Sequence, residues 1–257
     1  REGVRGPDLM SIAIQLEDVS KAYRVVRQKP FLAKEILRRI LQRPSSVERH
    51  WALSDVSFEI EHGEAVGVIG TNGSGKSTLL SLIAKTSYPT TGTVTVKGRV
   101  GPLLELGAGF QGELTGFENI FLNASLLGLS KEDVEAKLEA IIEYSGLKEF
   151  IHSPIATYST GMTARLGFSV IAHIEPEILL IDEILAVGDA AFRSKCQHTM
   201  QKFTEKGTTL FLVSHDLQTV QEMCSRVIWI DDGRMRAIGD AEEVIELYRN
   251  PTADSAD

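Results

Sequence analysis

The feature that most constrains the fold is Gly70-Thr71-Asn72-Gly73-Ser74-Gly75-Lys76-Ser77, which matches the pattern G-x-x-x-x-G-K-[ST]. The run Ala65-Val66-Gly67-Val68-Ile69 before it is continuously apolar, as a strand covered on both faces must be. Thr78 to Ala84 continue beyond it as a helix. A glycine-rich loop between such a strand and such a helix turns its backbone N–H groups inward, and the helix N-terminus adds partial positive charge. That combination holds the phosphates of a nucleotide. The pattern assigns Lys76 to the β- and γ-phosphates and the Ser77 hydroxyl to Mg²⁺, with Gly70, Asn72, Gly73, Ser74, Gly75 and Thr78 completing the expected cradle.

The rest of the chain supplies a sheet for this loop. Ile178 to Ile181 and Leu210 to Val213 are continuous apolar runs that suit parallel strands. Ile12 to Tyr23 and Ala52 to Ile60 read as further strands, the second leading through Glu61-His62-Gly63 into the Ala65 run. Val227 to Ile230 and Arg234 to Ala237 flank Asp232-Gly233, a two-residue hairpin turn. The expected class is therefore α/β, a phosphate-loop core with a mixed sheet over residues 12–102 and 173–240. Between these lies a helix-rich subdomain, residues 103–172. There Ser130 and Asp133 make a capping box, Val134, Leu138, Ile141 and Ile142 share one apolar face, and Gly146 stops the helix. Residues 241–257 read as a C-terminal helix, Glu242 to Tyr248, and a tail.

Ile178-Leu179-Leu180-Ile181-Asp182-Glu183 carries an acidic pair out of the end of a strand, where ligands of open α/β sheets bind. Asp182 is expected to hold Mg²⁺ through water, and Glu183 to orient or deprotonate the water that attacks the γ-phosphate. Composition removes other classes. A net charge of −8 argues against nucleic acid as a partner. Cys196 and Cys224 have no metal-ligand spacing and read as reduced packing residues. The most apolar region, Phe168 to Val187, is interrupted by His173, Glu175 and Pro176, well short of the about 18 residues of a membrane span. With no targeting segment read at its start, the chain is expected in the cytosol.

Tyr158-Ser159-Thr160-Gly161-Met162, opening an amphipathic helix shortly before the acidic strand, resembles the signature sequence of ABC ATPases. The resemblance covers nearly the whole chain. It implies that ATP is the nucleotide and that Tyr23 stacks on adenine. His215, in Ser214-His215-Asp216, is implied to contact the γ-phosphate, and Leu185-Ala186-Val187-Gly188-Asp189, which holds Asp189, resembles the loop that crosses the dimer interface. Ser159 and Gly161 are then expected to face the nucleotide of the second subunit, so that the working unit is a homodimer. Taken singly, Ser159 also reads as a helix cap, Tyr23 as a core aromatic and His215 as a strand-end histidine.

Two departures narrow the resemblance. The common L-S-G-G-Q has become Y-S-T-G-M, and Glu105, within Leu103-Leu104-Glu105-Leu106-Gly107-Ala108-Gly109-Phe110, stands where the family usually carries a metal-binding glutamine. Together with Glu113-Leu114-Thr115-Gly116-Phe117-Glu118-Asn119, they resemble the ATPase subunits of bacterial exporters of O-antigen, teichoic acid and capsule. That implies a transmembrane permease as partner and a peripheral place on the cytoplasmic face of the inner membrane. The other readings are a subunit of a different ABC transporter and a soluble, non-transport ABC ATPase. Residues 28–50 form a basic insertion, in which Leu32, Ile36, Leu37, Ile40 and Leu41 can share a helical face; it suits anionic headgroups or acidic loops of the partner, and reads equally as a helix packed on its own domain with a solvated basic face. Some O-antigen ATPases carry a C-terminal carbohydrate-binding domain, and the sequence stops soon after Tyr248.

Overall fold

The computed structural model of the chain describes residues 11–24, 49–103, 107, 109–182 and 189–250. Strands β1 (Ile12–Arg24), β2 (Arg49–Glu61) and β4 (Thr91–Val96) form a three-stranded antiparallel sheet in the order β2-β1-β4. A second sheet runs β5-β6-β7-β3-β8-β9, built from β3 (Ala65–Ile69), β5 (Val100–Leu103), β6 (Ile178–Asp182), β7 (Thr209–Val213), β8 (Arg226–Asp231) and β9 (Arg234–Asp240). Its pairs are parallel except β8 with β9, which close through Asp232 (φ 46°) and Gly233 (φ 73°), the two left-handed positions of a tight hairpin turn.

Strand alternation divides the core. Val66, Val68, Ile178, Leu180, Phe211, Val213, Ile228 and Ile230 face one way, toward the antiparallel sheet and helix α1 (Lys76–Ile83). Ala65, Ile69, Leu179, Ile181, Leu210, Leu212 and Val227 face the other way. That second face is covered by α4 (Thr160–Ile174), α5 (Ala190–Glu205), α6 (Leu217–Met223) and α7 (Ala241–Arg249). Thus α1 and α4 lie on opposite faces of the parallel sheet. A third apolar cluster joins α4 to α2 (Gly116–Leu126) and α3 (Lys131–Ser145) around Ile120, Val134, Ile141, Leu166 and Val170.

Local chemistry sets the ends of these helices. Ser130 and Asp133 form the expected capping box of α3, and Gly146 ends it at φ 65°. Val134 and Ile141 are buried, with Leu138 and Ile142 packed at the edge of the same cluster. Several boundaries differ from the sequence reading. Arg49 and His50, expected in the insertion, pair with Arg24 and Tyr23 as the start of β2. Leu103 belongs to β5, paired with Ile181, because its side chain completes the core beneath α4. His173 and Ile174 extend α4, and the phosphate-loop helix begins at Lys76. The remainder of the basic insertion, with its proposed apolar helix face, lies outside the described residues.

Candidate nucleotide site

Parallel pairing brings three strand ends to one edge. Val68 of β3 pairs with Val213 of β7, which pairs with Asp182 of β6. The residues that follow these positions therefore emerge side by side at about 4.8 Å per strand: Gly70 onward from β3, Ser214-His215 from β7, and Asp182 itself. By alternation Asp182 shares the face of Ile178 and Leu180, the side on which α1 packs.

The phosphate loop is shaped by its neighbours. Gly70 and Gly75 sit at φ 152° and 112°, and a Cβ at either would collide with a backbone carbonyl, that of Ile230 or Ala52 respectively. Lys76, 7% exposed, reaches back over the loop and donates from Nζ to the carbonyls of Gly70 (2.9 Å) and Thr71 (2.8 Å). Gly75 stands at the N-cap of α1, which has no side-chain cap and no acidic residue in its first turn, leaving its N-terminal dipole open to an anion. Thr71, Asn72, Gly73 and Ser77 are exposed, Thr78 is half-buried, and Ser74 is buried with no hydrogen-bond partner for its hydroxyl.

A brace under this loop was not legible in the sequence. Gly233 donates its N–H to the Ser74 carbonyl at 2.9 Å and accepts from Ser54 N–H at 2.8 Å, so the β8–β9 turn ties the loop to β2. Asp232-Gly233 signals a turn, but nothing in the pair says what the turn leans on.

Around His215, the Ser214 hydroxyl accepts the Asp216 N–H (3.0 Å), and Asp216 caps α6 at Gln218 (3.0 Å). The Thr219 hydroxyl, donating to Asp216, and the Gln218 N–H hold the Asp216 carboxyl below its ordinary range. His215 is thereby presented at the exposed end of β7 between two fixed neighbours. Tyr23 is no core aromatic: it is 43% exposed at the end of β1, with Lys21 Nζ 5.2 Å from its ring centroid.

The signature segment stands apart from these residues. Ser159 is the N-cap of α4, its Oγ accepting the Met162 N–H at 3.2 Å, and it is exposed, as the N-terminus of α4 must be to meet another molecule. Gly161 is half-buried in the first turn. The Tyr158 departure has a local reason: its ring packs in the helical cluster and its hydroxyl donates to the Phe150 carbonyl at 2.6 Å. Asn119, fully buried, fastens the preceding loop by accepting Gln111 N–H (2.8 Å) and donating to Gln111, Leu114 and Thr115 carbonyls. Asp189 caps α5. Glu183 and Glu105 lie outside the described residues.

A family model described as "ABC transporter" matches residues 53–186, just over half of the chain. The chain belongs to the ABC transporter family. It is similar to the O-antigen export system ATP-binding protein RfbB of Klebsiella pneumoniae, 55% identical over 205 residues that make up 80% of this chain and 83% of that one. The teichoic acids export ATP-binding protein TagH of Bacillus anthracis is 41% identical over 239 residues, 93% of this chain and 43% of its own length. A solved structure described as a dimeric post-hydrolysis state of the ATP-binding cassette MJ0796, bound to ADP and Pi, superposes with TM-score 0.70 at 22% identity, covering 89% of this chain and 98% of that one. The two layers and the helical cluster are thus the ABC ATPase domain, an ATP-hydrolysing fold.

Among the described residues no group of three His, Cys, Asp or Glu could by itself hold a metal. Mg²⁺ does not need one. It takes one or two protein oxygens plus phosphate and water, and the exposed Ser77 hydroxyl with the Asp182 carboxylate on the α1 side of the sheet fits that demand.

Proposed function

We infer that this chain is the ATP-binding, ATP-hydrolysing subunit that powers export of a lipid-linked bacterial polysaccharide, of O-antigen, teichoic acid or capsule type, through a separate transmembrane partner. The observation that carries the reading is the phosphate loop around Lys76, at the uncapped start of α1 and beside Asp182, in a chain 55% identical to an O-antigen export ATP-binding protein. Among the described residues no helix is long and apolar enough to cross a membrane. In this reading the transmembrane path belongs to the partner, and the chain works at the cytoplasmic face of the inner membrane.

In this reading the loop N–H groups and Lys76 take the β- and γ-phosphates, exchanging the ammonium's loop carbonyls for phosphate oxygens. Tyr23 stacks on the base. Ser77 and Asp182, with Glu105 as a further ligand, would hold Mg²⁺, which would neutralise phosphate charge there. Glu183 orients or deprotonates water, and His215 contacts the γ-phosphate. In this reading Ser159 and Gly161 serve the nucleotide of a second copy and Asp189 lies at the same interface; the packing of α4 on the sheet face opposite α1 supports it. ATP then closes the homodimer, and hydrolysis reopens it.

Titration with a fluorescent ATP analogue tests the loop. Lys76→Ala removes its cation and should weaken MgATP binding by about tenfold or more, since charge-assisted contacts to phosphate are lost. Unchanged affinity would remove Lys76 from the site. For the transport assignment, the chain should co-purify with a multi-span membrane protein, and failure to do so on co-expression would favour a soluble ABC ATPase.

A further inference from the structure

Arg165 lies on the signature helix α4, and its guanidinium touches three elements at once. Nε donates to the Ser145 carbonyl at the end of α3 (3.0 Å), Nη1 lies 3.9 Å from Asp189 Oδ2, and the guanidinium carbon stands 5.3 Å from the centroid of the Phe192 ring on α5. Asp189 uses its other oxygen, Oδ1, to accept the Phe192 N–H at 2.8 Å. One carboxylate therefore caps α5 and faces Arg165.

Stability is not what this contact supplies. The Asp189 side chain is 64% exposed and that of Arg165 28%, and an ion pair so open to water adds little. What it supplies is direction. A guanidinium is a rigid planar fork, and the Ser145 carbonyl and the Phe192 ring fix its plane, so that Nη1 is left aimed at Asp189. A second tie, Lys195 Nζ donating to the Tyr144 carbonyl at 2.9 Å, joins the end of α3 to α5 without touching Asp189.

We propose that Arg165 is a positioning residue for ATP hydrolysis, orienting Asp189 relative to the helix that begins at Ser159 so that both are presented to the second copy in register. The inference rests on the reading of the chain as a dimeric ATPase. It separates binding from turnover: nucleotide binding to the chain's own phosphate loop does not involve Arg165, whereas completion of the two-chain site does.

Steady-state kinetics on the full chain test it. Arg165→Gln should lower kcat about tenfold with KM for ATP within about twofold of wild type, and Arg165→Lys, which keeps the charge, should recover part of the rate. Lys195→Met, which cuts the neighbouring tie alone, should leave kcat within about twofold of wild type. Asp189→Asn keeps an oxygen for the Phe192 N–H and loses the charge, and adding Arg165→Gln to it should cost no further rate. Should Arg165→Gln fail to fold, Asp189→Asn carries the test, since it leaves the Arg165–Ser145 bond and the cap in place. Wild-type kcat in Arg165→Gln or Asp189→Asn, an equal loss in Lys195→Met, or additive losses in the double variant would overturn the inference while the ATPase reading stands. A wild-type chain that binds ATP and never turns it over would overturn both.

Discussion

Gly67 lies in the middle of β3, where a Cβ would stand 2.5 Å from Val220 Cγ1 and 3.4 Å from both Cys224 Sγ and Val227 Cγ2. In the sequence it passes for one more member of an apolar run; in the structure it is the groove into which α6 packs. Gly67→Ala should destabilise by about 1–3 kcal/mol through overpacking. For a chain of this size that lowers the thermal midpoint by about 2–4 °C per kcal/mol, measurable by calorimetry. Val220→Ala in the same chain should return part of the loss, because the colliding methyl is gone. An undiminished midpoint in Gly67→Ala would show that α6 yields. The cysteines behave as the sequence suggests for packing residues: burial pushes the Cys224 thiol up to about 12 and the Cys196 thiol up to about 11, so neither is a nucleophile near neutral pH.

Helix ends marked by a capping box or a glycine stop were legible, because such a cap joins residues close in sequence. The Ser130–Asp133 box and the Gly146 stop follow from spacing alone. The Thr115–Glu118 box of α2 has the same S/T-x-x-acid spacing in Glu113 to Asn119. Ser130→Ala should cost about 1 kcal/mol at neutral pH, checked by urea unfolding. Its pH dependence has a definite sign. The Ser130 hydroxyl, then the Ser130 N–H, lower the pKa of Asp133, so the carboxylate's share of the box is present above its ordinary pKa and fades as pH falls through the lowered one. The gap between wild type and Ser130→Ala should therefore narrow on acidification, and a pH-independent gap would assign the whole effect to the hydroxyl's own bond to the Asp133 N–H.

On the scale of the whole molecule, Ser159 is a cap and a candidate interface residue at once, and the two roles separate on mixing. Ser159→Arg removes the hydroxyl that accepts the Met162 N–H, a loss within one chain that no second chain can restore. If Ser159 also completes a partner's site, chains carrying Ser159→Arg and chains carrying Lys76→Ala, each inactive by itself, should regain part of the ATPase rate when combined, because each mixed dimer holds one unmutated composite site. Rate assays across mixing ratios decide it, and no recovery at any ratio would confine Ser159 to capping. The same assay against total concentration should rise more steeply than linearly for the wild-type chain.

Contiguous or regularly spaced residues spell out the phosphate loop, the strand that ends on Asp182, the α/β class and the family. A glycine pattern, an apolar run and a cap need no knowledge of what lies across the core. Only the tertiary structure decided that Gly233 braces Ser74 and that α6 claims the space at Gly67. It alone put Arg165 between Ser145 and Asp189, and α1 and α4 on opposite faces of one sheet. Those facts pair residues far apart in the chain, and side-chain packing across parallel strands fixes them with no local signal to announce the partner.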